Sequence, residues 1–309
     1  MSTLNKILEF LSNVFLTTLG QLLWLLGFIF IFGLILYLFA RFTRRSYVKS
    51  AGYKMDIIFT GWIGTPVHEL GHAIFCILFR HKIVEMKLYN PNPDDGTLGY
   101  IKHQYNSKST FQKIGNFFIG IGPILFGALV LYAALYYLMP GLQSIFNTLE
   151  KQSVYMASGL HKGSFMAIFE SMKFSASYLF NSIFSSTHLT NWKFWVFLYL
   201  SFCIASHMEL SPPDIVGAKG GLVTLILVLL FYNLLLLLVE AFGLHLYLGN
   251  FWQYIKITTF APQINAFLGV LGALFSYAVV ISALNFFISY IVLTIYNLIT
   301  GKGFINPIW

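Results

Sequence analysis

Residues 57–79 read Ile57-Ile-Phe-Thr-Gly-Trp-Ile-Gly-Thr-Pro-Val-His68-Glu69-Leu-Gly-His72-Ala-Ile-Phe-Cys76-Ile-Leu-Phe79. The run is long and apolar enough for a membrane span, which needs about 20 residues to cross roughly 30 Å of hydrocarbon. It nevertheless carries three ionisable side chains within two helical turns. Such groups are costly at membrane depth and mark function there. An α-helix advances about 100° per residue, so His68 and His72, at i and i+4, present two imidazoles to a common point on one face. Glu69 lies beside them, where its carboxylate reaches a water near that point without being a ligand. Two neutral nitrogens plus one further protein ligand, with a fourth position open, is the donor set of catalytic zinc. Water bound to such a metal has its pKa lowered to about 7, and a neighbouring carboxylate then serves as base and later as acid toward a leaving amine. Glu69 is the candidate for that role.

The rest of the 309-residue chain agrees with a lipid solvent. It is 57% hydrophobic and only 10% charged, with mean hydropathy +0.73, whereas soluble domains carry about 25% charged residues. The net charge of +8 fits basic residues flanking spans and facing headgroups. No basic stripe with interleaved aromatics is present, which argues against a nucleic-acid partner. The two cysteines, Cys76 and Cys203, sit in apolar runs and form no disulfide framework. Phe10–Ala40 is too long for a signal-peptide core, and no small-residue cleavage site follows it.

Hydropathy predicts an all-α, polytopic membrane protein with about six spans: Val14–Ala40, Ile57–Phe79, Ile114–Met139, Trp195–Leu210, Gly221–Tyr247 and Phe267–Thr300. Two connections are long. Ile83–Tyr89 and Leu98–Tyr105 flank the turn-rich run from Asn90 to Gly96 and predict a short membrane-associated β-hairpin. In 141–190, Phe165, Ile168, Phe169, Met172, Leu179, Phe180, Ile183 and Phe184 recur at helical spacing, which predicts an interfacial amphipathic helix. One membrane domain over 1–309 is the simplest division. Lys and Arg divide evenly between the two sides, so orientation is not set by charge. A multi-pass protein, of the cell membrane, is the expectation; nothing in the sequence speaks to oligomeric state.

A third ligand is sought among acidic and His residues near a span boundary. Ser206-His207-Met-Glu209-Leu-Ser211-Pro-Pro-Asp214-Ile-Val-Gly217 is the richest polar cluster outside the His-Glu run. Its Pro pair is expected to pull the backbone away from regular helix, as is tolerated at membrane depth where the chain lines a cavity. Asp214 is the favoured ligand, with His207 and Glu209 as alternatives.

These residues resemble the site-2 protease family. The resemblance rests on His68-Glu-Leu-Gly-His72 in an early span, the hairpin-like loop, Gly120-Ile-Gly-Pro-Ile-Leu in the next span, and the Pro-containing Asp motif. It covers 57–126 and 206–217, and the core is drawn here over 57–126 and 191–217. It implies a three-helix core around a zinc ion within the bilayer, Asp214 as third zinc ligand, and hydrolysis of transmembrane segments of other membrane proteins. The chain departs from the family pattern in having Ser206 at an Asn position, Glu209 and Ser211 at proline positions, Ile215 after the Asp and Phe126 at a second Asn position. The family Asn holds substrate main chain or oxyanion, a task His207 could take here. The match is thus to a divergent branch.

Other residues have plainer readings. The hairpin could offer a strand edge to an unwound substrate. Glu240 is read as a structural hydrogen-bonding group rather than a cavity acid. Cys76, one turn past His72, reads as a buried hydrophobe, and His81 and His103 as wet loop histidines. Two rival functions remain. A prenyl-protein-type membrane zinc protease would need Glu209 or Glu240 as ligand. A zinc-binding scaffold or metal transporter would have no use for Glu69.

Overall fold

The computed structural model describes residues 3–52, 57–92, 97–139, 148, 151–152, 155, 164–183 and 186–307. Helix α1 (Thr3–Ala51) is followed by a π-helical turn, Ile57–Gly61, and by α2 (Trp62–Leu78), which carries the His-Glu run. Strands β1 (Lys82–Lys87) and β2 (Tyr100–Gln104) form the expected antiparallel hairpin. Then come α3 (Thr110–Leu138), α4 (Phe165–Ile183), a single turn α5 (Ser186–Leu189), α6 (Trp192–Ser206), α7 (Pro212–Ala241), the short α8 (His245–Leu248) and α9 (Phe251–Ile255), and α10 (Ala261–Ile299).

Four helical stretches are long and apolar enough to cross a membrane: Leu4–Gly27, Thr110–Leu138, Pro212–Ala241 and Ile257–Ile299. Helix α6 is apolar but shorter. Helix α2, with 17 residues, spans about 26 Å at 1.5 Å per residue. Both pack against neighbouring helices. Large apolar side chains cover the outside, as on α7, where Val216, Leu227 and Phe231 are exposed. Of the amphipathic region 141–190, α4 is a helix that packs on the α10 side through Ala176 and Tyr178; most of 140–163, and Phe184, lie outside the described residues.

Close helix contacts are set by glycine. A Cβ on Gly71 of α2 would lie 2.7 Å from Pro123 Cα, and one on Gly122 of α3 would lie 2.6 Å from the Gly71 carbonyl oxygen. On its other face, α3 meets α7: a Cβ on Gly120 would sit 2.8 Å from the Asp214 carbonyl, and one on Gly221 would sit 2.2 Å from Phe117 N. The alternating glycines of Gly120-Ile-Gly122 therefore let α3 touch two helices by backbone. Without a hydrophobic drive between helices in lipid, such close packing and interhelical hydrogen bonds hold a bundle together. The second contribution is visible where Gln21 and Asn233 exchange amide hydrogen bonds (2.9 and 3.2 Å) and Trp24 donates to Asn265 (2.7 Å).

The neighbouring glycines of α7 make a controlled pair. Gly221→Ala drives a methyl into α3 and is expected to destabilise by about 1–3 kcal/mol. Gly220→Ala meets no atom within 4 Å and, on helix propensity, is expected to be neutral or to stabilise by up to about 1 kcal/mol. Thermal unfolding of the two variants in detergent checks the sign of each.

Candidate metal centre

Helix α2 holds its functional face toward α3 and α7. His68 Nε2 and His72 Nε2 lie 3.2 Å apart. Asp214 Oδ1 is 3.1 Å from His72 Nε2, and Oδ2 is 3.5 Å from His68 Nε2. One ligand atom from each of the three residues lies within 4.8 Å of the others.

Hydrogen accounting shows what this group lacks. His68 Nδ1 is 2.7 Å from the His207 carbonyl oxygen, and His72 Nδ1 is 2.7 Å from the Ile119 carbonyl oxygen. Carbonyls only accept, so each Nδ1 carries the proton and each neutral imidazole turns a bare Nε2 lone pair inward. Two lone pairs and a carboxylate then face one another in a largely apolar surrounding. A cation among them satisfies all three, and the donor chemistry fits a nitrogen- and oxygen-liganded divalent metal.

Both orienting carbonyls are released by interruptions of helix. In regular helix the N–H of residue 123 would bond the carbonyl of residue 119, but Pro123 has no N–H. The free Ile119 carbonyl goes to His72. The His207 carbonyl lies at the C-cap of α6, where helix carbonyls have no partner within the helix, and it goes to His68. Gly64 admits this helix end: a Cβ there would lie 2.2 Å from the Cys203 carbonyl and 2.5 Å from the His207 ring.

Asp214 is held at the start of a helix. The Pro212-Pro213 pair does not break the helix as expected. It occupies the first two helical positions, where a missing N–H costs nothing, so α7 begins well before the expected Gly221. Ser211 and Asp214 form a reciprocal capping box: Asp214 Oδ2 accepts from Ser211 N (2.7 Å) and from its hydroxyl (2.6 Å). The positive end of the helix dipole favours the carboxylate there.

A cavity of about 650 Å³ opens on the group. Glu69, only 6% exposed, lines it together with His68, His72 and Asp214, and so do Thr65, Asn116, His103, His207 and Arg44. Sequence reading did not single out Thr65, Asn116 or Arg44; the position of Asn116 one turn before Gly120 on α3 was the available signal. Neither alternative third ligand belongs to the group. Glu209 pairs with Arg44 at 2.9 Å. The His207 Nδ1 lies 3.1 Å from the Cys203 carbonyl, and its buried Nε2 has no hydrogen-bond partner among the described residues. Glu240 pairs with Lys256 at 2.6 Å, 26 residues along α7 from Asp214 and so about 39 Å away. Cys76 is fully buried and not in the group.

The reading of His81 and His103 as wet loop histidines is corrected. Helix α2 ends in a Schellman turn, with His81 N bonded to the Cys76 carbonyl (2.8 Å), Arg80 N to Ile77 (3.1 Å), and Arg80 at φ 59 where glycine is usual. The turn delivers His81 into a buried position against His103 and under the Tyr105 ring. Comparison with protein-family models, curated proteins and solved structures found no match.

Two outcomes are expected. Pro123→Ala restores an N–H that competes with His72 for the Ile119 carbonyl, so divalent-metal affinity should fall by about 10-fold, the low end for lost orienting partners; competition titration with Co2+ and Zn2+ measures it. Burial holds His81 below its usual range. A histidine with a folded pKa lowered from about 6.5 is neutral in the fold and binds more protons unfolded, so its contribution is present above that value and is lost as pH falls below it. Hydrogen exchange of β1 and β2 amides should therefore accelerate below about pH 6.5, beyond the intrinsic trend, and the excess should diminish in His81→Phe and vanish when His103, also held low by burial, is replaced as well.

Proposed function

We propose that this chain is an integral, multi-pass membrane zinc endopeptidase that hydrolyses a peptide bond in or beside a transmembrane segment of another membrane protein, as in regulated intramembrane proteolysis. The observation that carries the reading is the convergence of two bare imidazole nitrogens and the Asp214 carboxylate on a cavity that Glu69 also lines. His68, His72 and Asp214 would hold the metal. Zinc, when bound, would supply Lewis acidity that polarises the scissile carbonyl and acidifies water.

The chain's own groups account for the proton traffic. Water adds to the carbonyl carbon while Glu69 takes its proton. The C–N bond then breaks as Glu69 returns that proton to the leaving nitrogen. A helical substrate shields its carbonyls, so the segment has to unwind. Residues Leu98–Ile101 line the cavity, and β2 pairs with β1 on one side only among the described residues, which leaves an edge for strand addition. The resemblance to the site-2 protease family points the same way. The exposed apolar helices support six membrane-associated segments, with α2 and α6 as the two short inner ones.

A prenyl-protein-type protease would use Glu209 or Glu240 as ligand, and both carboxylates are already paired with cations. A scaffold or transporter leaves Glu69 without a task.

Elemental analysis of detergent-purified protein is expected to find near one zinc per chain in wild type, Glu69→Gln and Glu209→Ala, and loss of zinc in His72→Ala and Asp214→Ala. Membranes of cells expressing wild type should contain new N-termini within or beside transmembrane segments that are absent with Glu69→Gln. Zinc-free wild type, or identical N-terminal profiles from the two proteins, would sink the reading.

A further inference from the structure

His103 lies on β2, outside the group of His68, His72 and Asp214, and it lines the same cavity. Its protonation pattern is fixed from a distance. His81 Nε2 is 2.8 Å from the Gln112 carbonyl oxygen, so that nitrogen carries a proton. The other ring nitrogen of neutral His81, Nδ1, is then an acceptor. It lies 3.0 Å from His103 Nδ1, which must donate. The remaining nitrogen, His103 Nε2, is left as a bare lone pair, and no partner for it occurs among the described residues. The relay is held at both ends. The Schellman turn sets His81, and the Gln112 side chain ties the segment by donating to the Arg80 carbonyl (2.8 Å) and accepting from Asn106 N (2.6 Å). Burial keeps both rings below the ordinary histidine range, so the neutral forms that this accounting needs are present at pH 7.

A fixed acceptor on the wall of a cavity selects a ligand that brings a donor. Carboxylates and carbonyls do not; a peptide main chain brings one N–H per residue. We propose that His103 binds substrate, its Nε2 accepting one main-chain N–H of the peptide held in the cavity, with His81 as the positioning residue that fixes the tautomer. This rests on the protease reading given above. A site built to receive an N–H discriminates against a ligand lacking it, because the acceptor is then left unpaired.

The test uses the full-length, zinc-loaded chain in detergent. The probe is acetyl-Leu-Ala-Leu hydroxamate, with analogues in which one main-chain N–H at a time is replaced by N-methyl. At one position, N-methylation is expected to weaken binding to wild type by about 10-fold, the equivalent of one hydrogen bond. In His103→Leu the parent compound should lose that same factor and the N-methyl penalty should disappear. In His103→Gln, whose amide oxygen still accepts, the penalty should persist. Ring 15N spectra of the wild-type protein, which need neither metal nor variant, should show His103 protonated at Nδ1 and bare at Nε2.

Equal N-methyl penalties in wild type and His103→Leu, or a His103 protonated at Nε2, overturn the proposal. Tight hydroxamate binding alongside either result leaves the protease reading standing. Failure of wild type to hold zinc or to bind any of the hydroxamates removes both.

Discussion

Three electron-rich atoms brought face to face inside an apolar helix bundle repel one another unless a cation or shared protons lie among them. His68 Nε2, His72 Nε2 and the Asp214 carboxylate are in that position. Their protons are committed outward, to the carbonyls of His207 and Ile119. The arrangement is therefore poor as a plain hydrogen-bonded cluster and good as a ligand set. Everything around it serves to hold the three atoms in register. The two carbonyls fix the imidazoles, the capping box fixes the carboxylate, and close helix packing fixes the elements that carry them.

Helix α3 is the piece on which this depends. Its Gly120-Ile-Gly-Pro123 stretch does three separate things within four residues. Gly122 admits the backbone of the His-bearing helix, and Gly120 admits the first turn of the Asp-bearing helix. Pro123 removes one N–H and so leaves a carbonyl for His72. The packing residues and the residue that frees a carbonyl for His72 are thus neighbours in one stretch. Substitution of Gly120 or Gly122 would disturb the spacing of the helices, and substitution of Pro123 the direction of a lone pair.

The hairpin brings a different kind of order to the cavity mouth. Gly99 lets it lie against Thr65 of α2, and the His81–His103 pair locks its base to the start of α3 through Gln112. Across the opening, the Arg44–Glu209 pair ties α1 to the loop that leads into Asp214. This last contact also explains why a carboxylate so close to the site in sequence is not a member of the ligand group.

Much of this was legible in the chain. The apolar composition, the long hydrophobic runs, the i, i+4 histidines with an adjacent carboxylate and the turn-flanked hairpin follow from periodicity and local chemistry, and those are properties of neighbouring residues. Asp214 could be named as a candidate because a polar, Pro-containing cluster is local too, although the Pro pair acts opposite to the expectation: two prolines end a helix from within but open one at its first positions. What the chain could not disclose were the relations between residues far apart in sequence. That the carbonyl freed by Pro123 would face His72, that the end of α6 would meet His68, and that His81 would leave its expected solvent for a hydrogen bond with His103 are facts of where elements of the fold meet. The sequence by itself determined which groups could bind a cation and that they would lie in apolar helices. Only the tertiary structure decided which nitrogens of His68, His72, His81 and His103 hold protons, because a tautomer is set by the partner of the opposite ring nitrogen, and for these four that partner comes from another element of the fold.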